Sequence, residues 1–361
     1  MNILKEIIRT LSVPLLGPSG WSPFKPVSIS IDLTENCNSQ CNMCDCWRTS
    51  GERFSFERLR PLLDDLVNWN VTLINYVAAG EIFTHPEIRE ILSYTKKKGF
   101  EIILNTNALA LSNPSWATFV AQEIQPLSIS IGIDSIRDET YQEIRGVPKG
   151  ASKIKKAISH LQEAGYHNIG LGAVILPANL DQLTEMVHFT REQGVEVRFT
   201  AYEAFFQEEE AIQNELQRLA REGILQERIG EIIQLKKSHA HIKSSVEYLK
   251  RIPDYYLTDK YFPLPCRVGF LRANIAINGD TFFCHHTKPY GNVFQQSIDE
   301  IWFSKAARNT RQQMVAGECP GCWLNCFGEE NIRFSPRLGF RSNLDGLKRY
   351  LKLKAQGDSP K

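Results

Sequence analysis

The sequence predicts an α/β fold in which parallel βα units close into a full or partial barrel, followed by a small cysteine-rich module. Three observations predict it. Between residues 27 and 200, short apolar runs alternate with amphipathic stretches of helical length, the rhythm of a parallel sheet flanked by helices. At 361 residues and 42% apolar content, the chain has room for one large domain and a smaller one. Its nine cysteines fall into clusters near the two ends of that length.

The elements follow in order. Strands are expected at 27–33, 73–79, 101–105, 127–133, 170–175 and 196–200, where branched and aromatic residues dominate. Helices are expected between them at 55–68, 86–98, 116–122, 150–165 and 180–193. In such units the reactive residues lie at the C-terminal ends of the strands. From 203 to 251 the composition turns charged, with Glu208, Glu209 and Glu210 followed by helical stretches at 215–219, 229–237 and 246–249, a connector with a solvated face. Residues 252–265 hold three prolines and four aromatic residues, which suggests a packed turn. Gly279 and Asp280 separate two apolar alternations, 272–277 and 281–283, and predict a hairpin turn beside Cys284. Residues 1–16, interrupted by Lys5, Glu6 and Arg9, suit a short amphipathic helix, and a terminal helix near Leu347 is expected before a frayed end. The resulting boundaries are an N-terminal helix or arm (1–26), the βα units (27–203), a helical connector (204–262), the cysteine-rich module (263–330) and a C-terminal helix and tail (331–361).

Composition excludes several classes of function. The 42 basic and 41 acidic residues nearly cancel, so the broad positive field of a nucleic-acid binder is missing. No apolar run approaches the roughly 20 residues of a membrane span. With no cleavable signal peptide and an odd number of cysteines, metal ligation in a reducing cytoplasm is expected over disulfides.

Cys37, Cys41 and Cys44 form C-x3-C-x2-C directly after the first strand. Three thiolates there can hold an iron–sulfur cluster by three corners and leave an iron open for a ligand, and a zinc knuckle is the alternative. Cys266, Cys284, Cys319, Cys322 and Cys326 make a second set. A hairpin with cysteines before and after it, completed by a later Cys-x2-Cys, builds a four-thiolate cage that suits zinc or an iron–sulfur cluster.

The first triplet, together with the loops after the strands, resembles the radical S-adenosylmethionine (SAM) enzymes. That resemblance implies a partial (β/α)6 TIM-like barrel carrying a [4Fe-4S] cluster whose open iron binds SAM. Gly80 and Glu81 are similar to the Gly-Gly-Glu-Pro motif that binds the methionine amino group, with Ala79 and Ile82 departing from it. Thr106 and Asn107 resemble the pair placed beside the SAM methionine, Ser130 the serine on the ribose hydroxyls, and Val174 the segment whose backbone flanks adenine. Arg145 matches a SAM carboxylate partner, while Asp134 either faces the substrate or caps the next helix. Met43 replaces the usual aromatic residue before the third cysteine, and no Lys or Arg lies on the fifth strand.

The second set, with Gly279, Gly291, Trp302 and Arg308 around it, resembles the SPASM or twitch module, a cysteine-rich α+β auxiliary-cluster domain. Five cysteines rather than seven imply one auxiliary [4Fe-4S] cluster, held by Cys266, Cys284, Cys319 and Cys322, with Cys326 as an alternative ligand or a free thiol. Cys46 reads as a buried small hydrophobe. The family implies an oxidoreductase-type enzyme that cleaves SAM to a 5′-deoxyadenosyl radical and draws electrons from a flavodoxin- or ferredoxin-type donor. Its substrate is expected to be a small hydroxylated metabolite, with a ribosomal peptide to be matured as the alternative and a non-enzymatic metal protein as a third reading.

Overall fold

The computed structural model describes residues 9, 12–49, 51–77, 79–204, 210–335 and 338–339. Six parallel strands form in the expected places: β1 (Ser28–Asp32), β2 (Leu73–Val77), β3 (Glu101–Thr106), β4 (Ser128–Gly132), β5 (Ile169–Ile175) and β6 (Glu196–Ala201). They lie side by side in sequence order, each parallel to the next. The alternation along each strand decides its two faces. On β1, Ile29 and Ile31 are wholly buried, whereas Asp32 is half-buried and lines a cavity. Val77, Asn105, Ser130 and Gly132 line the same cavity from β2, β3 and β4.

The outer face is covered by α1 (Phe56–Asn68), α2 (Ile88–Lys97), α3 (Pro114–Thr118), α4 (Asp138–Arg145), α5 (Gly150–Glu163) and α6 (Leu183–Glu192). α1 buries Leu59, Leu62, Leu63 and Leu66 at helical spacing, the stripe that fits it against the strands. α3 differs from the expected 116–122: Asn113 caps it by accepting from the Ser115 amide, Pro114 opens it, and it widens into a π-helical segment, Phe119–Ile124. The connector holds α7 (Ala211–Arg221), α8 (Ile224–Lys236) and α9 (Val246–Leu249). α10 (Ile252–Tyr256) occupies the start of the stretch read as a turn, because Pro253 sits in its first turn, where no amide donor is required. Arg9 and residues 12–16 are helical. The terminal helix expected near Leu347, and Glu208 and Glu209, lie outside the described residues.

The cysteine-rich module forms the expected hairpin from β7 (Arg272–Ile275) and β8 (Asp280–Phe282), joined by a short β9 (Gly291–Asn292). Gly279 takes a φ of +86° in its turn, a conformation that favours glycine. The hairpin continues the barrel's sheet: β7 pairs in parallel with β1, Ser28 opposite Arg272 and Ile31 opposite Ile275. Two further helices, α11 (Ile298–Phe303) and α12 (Lys305–Ala316), precede α13 (Asn325–Arg333). α13 reaches the opposite edge, where the Asn325 amide donates to the Thr200 hydroxyl at 3.0 Å and its side chain to the Phe199 carbonyl at 3.3 Å. The edge amides of β6 are satisfied in turn by the Ser244 and Tyr248 hydroxyls, bonded to Phe199 and Ala201, so neither edge of the six-stranded sheet is left bare. No helix among the described residues is long and apolar enough to cross a membrane.

Candidate functional site

A cavity of about 620 Å³ opens at the C-terminal ends of the strands. Cys37, Cys41 and Cys44 line it from the loop after β1. That loop hangs on the end of α4: the Gln40 amide donates to the Arg145 carbonyl at 3.1 Å and the Asn42 amide to the Ile144 carbonyl at 2.8 Å. These are carbonyls that a helix end leaves unpaired, so the cysteine loop serves as the C-terminal partner of α4. The Trp47 indole donates to the Cys41 carbonyl at 3.2 Å and fixes the loop's far side.

Burial pushes the Cys41 thiol up to about 11 and raises that of Cys37. Cys44 is instead lowered to about 6 by a hydrogen bond with the Cys46 thiol. Cys46 therefore is no buried hydrophobe: it is half-buried, lines the cavity and its sulfur engages Cys44.

The donor set fits an iron–sulfur cluster. All three thiols are free and line one space. Among the described residues, the one trio of potential ligand atoms within 4.8 Å of one another is Glu203, His286 and Cys322, so the first triplet is spread more widely. A tetrahedral zinc bound at about 2.3 Å draws its thiolates to within about 4 Å of each other; a cluster with one iron per thiolate accommodates the wider spread.

The loops after β2 and β3 interlock beneath the cysteines. Gly80 makes its close approach to the cysteine loop itself, since a Cβ there would lie 1.9 Å from the Asn36 carbonyl oxygen. The Glu81 amide donates to that same oxygen at 2.7 Å. The Glu81 carboxylate, 3% exposed, accepts from the Thr106 hydroxyl at 2.6 Å, the Asn107 amide at 2.6 Å and the Phe83 amide at 3.2 Å. Burial raises its pKa above the ordinary value, and these three donors offset part of the rise. A carboxylate offers about four acceptor positions, so one remains for a ligand's ammonium. The Asn107 side chain donates to Asn38 at 2.7 Å and to Ser39 at 3.1 Å, tying the third loop to the first.

Ser130 and Arg145 line the cavity from the other side. Arg145 is buried rather than exposed at its helix end, and its Nε donates to Asp134 Oδ2 at 2.7 Å. Asp134 neither faces the cavity nor caps a helix. It is wholly buried, pairs with Arg145 and accepts from the Val174 amide at 2.8 Å. Val174 does not line the cavity; its amide is committed to Asp134.

The second cysteine set divides. Cys266, Cys284, Cys319 and Cys322 line a smaller cavity with His286 and Trp323, while Cys326 lines the large one. Cys284 borders both. Between them sits Glu203, just after β6, bonded to His285 at 3.1 Å and His286 at 2.5 Å. Sequence reasoning missed Glu203 and both histidines, and it missed Asp32 and Asn274, which line the large cavity. The polar members of β1, Ser28, Ser30 and Asp32, carried a signal: they alternate with isoleucine and so share one face.

Residues 31–190 match the family model described as the radical SAM superfamily, and residues 266–326 the SPASM iron–sulfur cluster-binding domain. The chain is 26% identical over 185 residues to the AdoMet-dependent heme synthase of Methanosarcina barkeri, covering 50% of each chain. It is 27% identical over 180 residues to the subtilosin biosynthesis protein AlbA of Bacillus subtilis, covering 49% of this chain and 39% of that one. It thus spans half or less of the length of these curated relatives. Among solved structures, Streptococcus suis SuiB bound to S-adenosylmethionine superposes with a TM-score of 0.63 at 16% identity, covering 86% of this chain and 74% of SuiB.

Proposed function

Because the chain belongs to the radical SAM superfamily and carries a SPASM iron–sulfur domain, we propose that it is an oxidoreductase-type enzyme that removes two electrons from a C–H-bearing, hydroxylated small molecule. Cys37, Cys41 and Cys44 would hold the SAM-binding [4Fe-4S] cluster, and Cys266, Cys284, Cys319 and Cys322 the auxiliary one. Loaded, the first site supplies a 5′-deoxyadenosyl radical that takes a hydrogen atom, and the second supplies an acceptor for one electron. Glu81 would accept from the methionyl ammonium of SAM, with Thr106 and Asn107 holding Glu81 in place, and Ser130 would meet the ribose. Arg145 would present its remaining guanidinium N–H groups to the SAM carboxylate, since Asp134 engages only its Nε.

One observation carries this reading: Cys284 borders both the cavity of the first cysteine loop and that of the second set. An electron acceptor held there would stand beside the substrate. Electrons would enter from a flavodoxin- or ferredoxin-type donor in a reducing cytoplasm. The test is anaerobic reconstitution followed by reduction with SAM and deuterated candidate metabolites. Deuterium transfer into 5′-deoxyadenosine, with one oxidised product per 5′-deoxyadenosine, supports the proposal; no 5′-deoxyadenosine from well-reduced enzyme overturns it.

A ribosomal peptide is the second reading, favoured by the similarity to AlbA, a protein of bacteriocin biosynthesis. Deuterium transfer from labelled peptides alone would select it. The wide spread of the first three thiols speaks against a zinc-stabilised binding protein.

A further inference from the structure

Asp32 ends β1 at the mouth of the barrel and lines the large cavity. Its carboxylate has no hydrogen-bond or ion-pair partner among the described residues, and it faces no free countercharge. Arg145, the one arginine or lysine lining the cavity among the described residues, is bonded to Asp134. Glu81 is held by its three donors, and His285 is bonded to Glu203. Burial lifts the Asp32 carboxyl to about 6, the mark of a charge that the folded protein does not itself compensate.

The same inner face continues as a ribbon of neutral polar groups. Asn105 donates to Asn75 at 2.7 Å, Asn75 donates to the Ser30 hydroxyl at 3.1 Å, and across β1 the Asn274 side chain donates to the Phe283 carbonyl at 2.7 Å. These bonds fix the carboxamides and leave the Asn105 side-chain oxygen accepting none among the described residues. A ligand that brings a cation to Asp32 and hydroxyl donors to this ribbon would satisfy both.

We propose that Asp32 is the anchor for the ammonium group of an amine-bearing, hydroxylated substrate. A neutral polyol leaves the carboxylate uncompensated, and an anionic one is repelled, so the cavity sorts substrates by charge before any chemistry begins. This rests on the reading of the cavity as a substrate site, and it adds the charge class of what enters.

The test uses three molecules of similar size and different charge: D-glucosamine, D-glucose and D-glucuronate. Each is measured by equilibrium dialysis against the cluster-loaded, SAM-bound protein at neutral pH. Glucosamine is expected to bind at least about tenfold more tightly than glucose, the ratio of a charge-assisted hydrogen bond to none, and glucuronate more weakly still. Asp32→Asn should erase the glucosamine preference, and Asp32→Glu should restore part of it, with iron content and circular dichroism showing that each variant is folded and loaded. Equal retention of glucosamine and glucose, including no retention of either, overturns the proposal, as does a preference that survives Asp32→Asn. Loss of SAM retention in Asp32→Asn would place the carboxylate on SAM and overturn it too. Release of 5′-deoxyadenosine by the wild-type protein is scored separately, so failure of the charge preference and failure of SAM cleavage are told apart.

Discussion

Arg145 Nε donates to Asp134 Oδ2 at 2.7 Å inside the barrel, and the same carboxylate accepts from the Val174 amide on β5. The pair links the end of α4, from which the cysteine loop hangs, to the fifth strand. Replacing Asp134 by alanine would leave a buried guanidinium without its counterion, a change that costs about 3–5 kcal/mol. Asp134→Ala should therefore shift the denaturant midpoint strongly downward, and iron retention by the first site should fall with it. Anaerobic guanidinium titration and iron assay of the same samples check both.

Gly80→Ala should damage the cysteine loop without touching a cysteine. The added Cβ would meet the Asn36 carbonyl at 1.9 Å, and both sides of that contact are backbone, so relief requires moving one loop. A loss of about 1–3 kcal/mol is expected, with a drop in 5′-deoxyadenosine release larger than the drop in cluster content.

The division of the second cysteine set makes an iron count informative. Two cubane clusters correspond to about eight irons per chain. Cys322→Ser should lower this toward about four, whereas Cys326→Ser should leave it near eight, because Cys326 does not line the smaller cavity that the other four share. Cys41→Ala should abolish 5′-deoxyadenosine release. Zinc in place of iron at the second site would refute the auxiliary-cluster assignment.

Asp32 should make the protein's stability fall as pH rises through the mildly acidic range. Burial raises its folded-state pKa from 3.8 to about 6, so the folded state holds the proton more tightly than the unfolded state does. The associated stability is present below about pH 4 and is lost as pH climbs toward about 6. Asp32→Asn has no such loss, so above pH 6 the variant should exceed the wild type by about 1–3 kcal/mol, and the gap should close on acidification. Thermal unfolding of the ligand-free protein between pH 4 and pH 7 measures it.

The barrel and the C-terminal module should unfold together. β7 is hydrogen-bonded to β1 along its length, and α13 is bonded to the residues of β6. A chain shortened to residues 1–262 would expose an unpaired β1 edge, a template for aggregation. Scanning calorimetry of the full chain should show one transition, and the shortened chain should aggregate on expression.

Much of this architecture was legible because the strands alternate so regularly. The isoleucines of β1 and β4 fall on every second residue, which fixes both the strand and its buried face. The cysteine spacings and the short polar loops after the strands located the cavity's rim. The parallel pairing of β7 with β1 had no local signal: a hairpin reads the same whether it stands alone or extends a distant sheet. Gly80 sits in a stretch similar to a ligand-binding motif, yet the neighbour it admits is the Asn36 backbone, a long-range contact invisible in a loop's own residues. Asp134 looked like a helix cap because it precedes α4 closely; its true partner, Arg145, lies at the far end of that helix. Asp32 was passed over because a carboxylate at a strand end is ordinary until its lack of a partner is seen.

The pairing of Ser28 with Arg272 has a consequence for biosynthesis. During translation, β1 and the cysteine loop leave the ribosome well before the strand that completes their sheet, which follows only after β2 to β6 and the connector have been made. Contacts so distant in sequence form slowly, and nascent intermediates of this kind expose unpaired edges. The nascent barrel should therefore stay open on the side of its first cysteine triplet until Arg272–Ile275 arrive. That order would leave the thiols accessible to a cluster-assembly carrier while β1 is still unpaired, so that metal loading can begin before the sheet is complete.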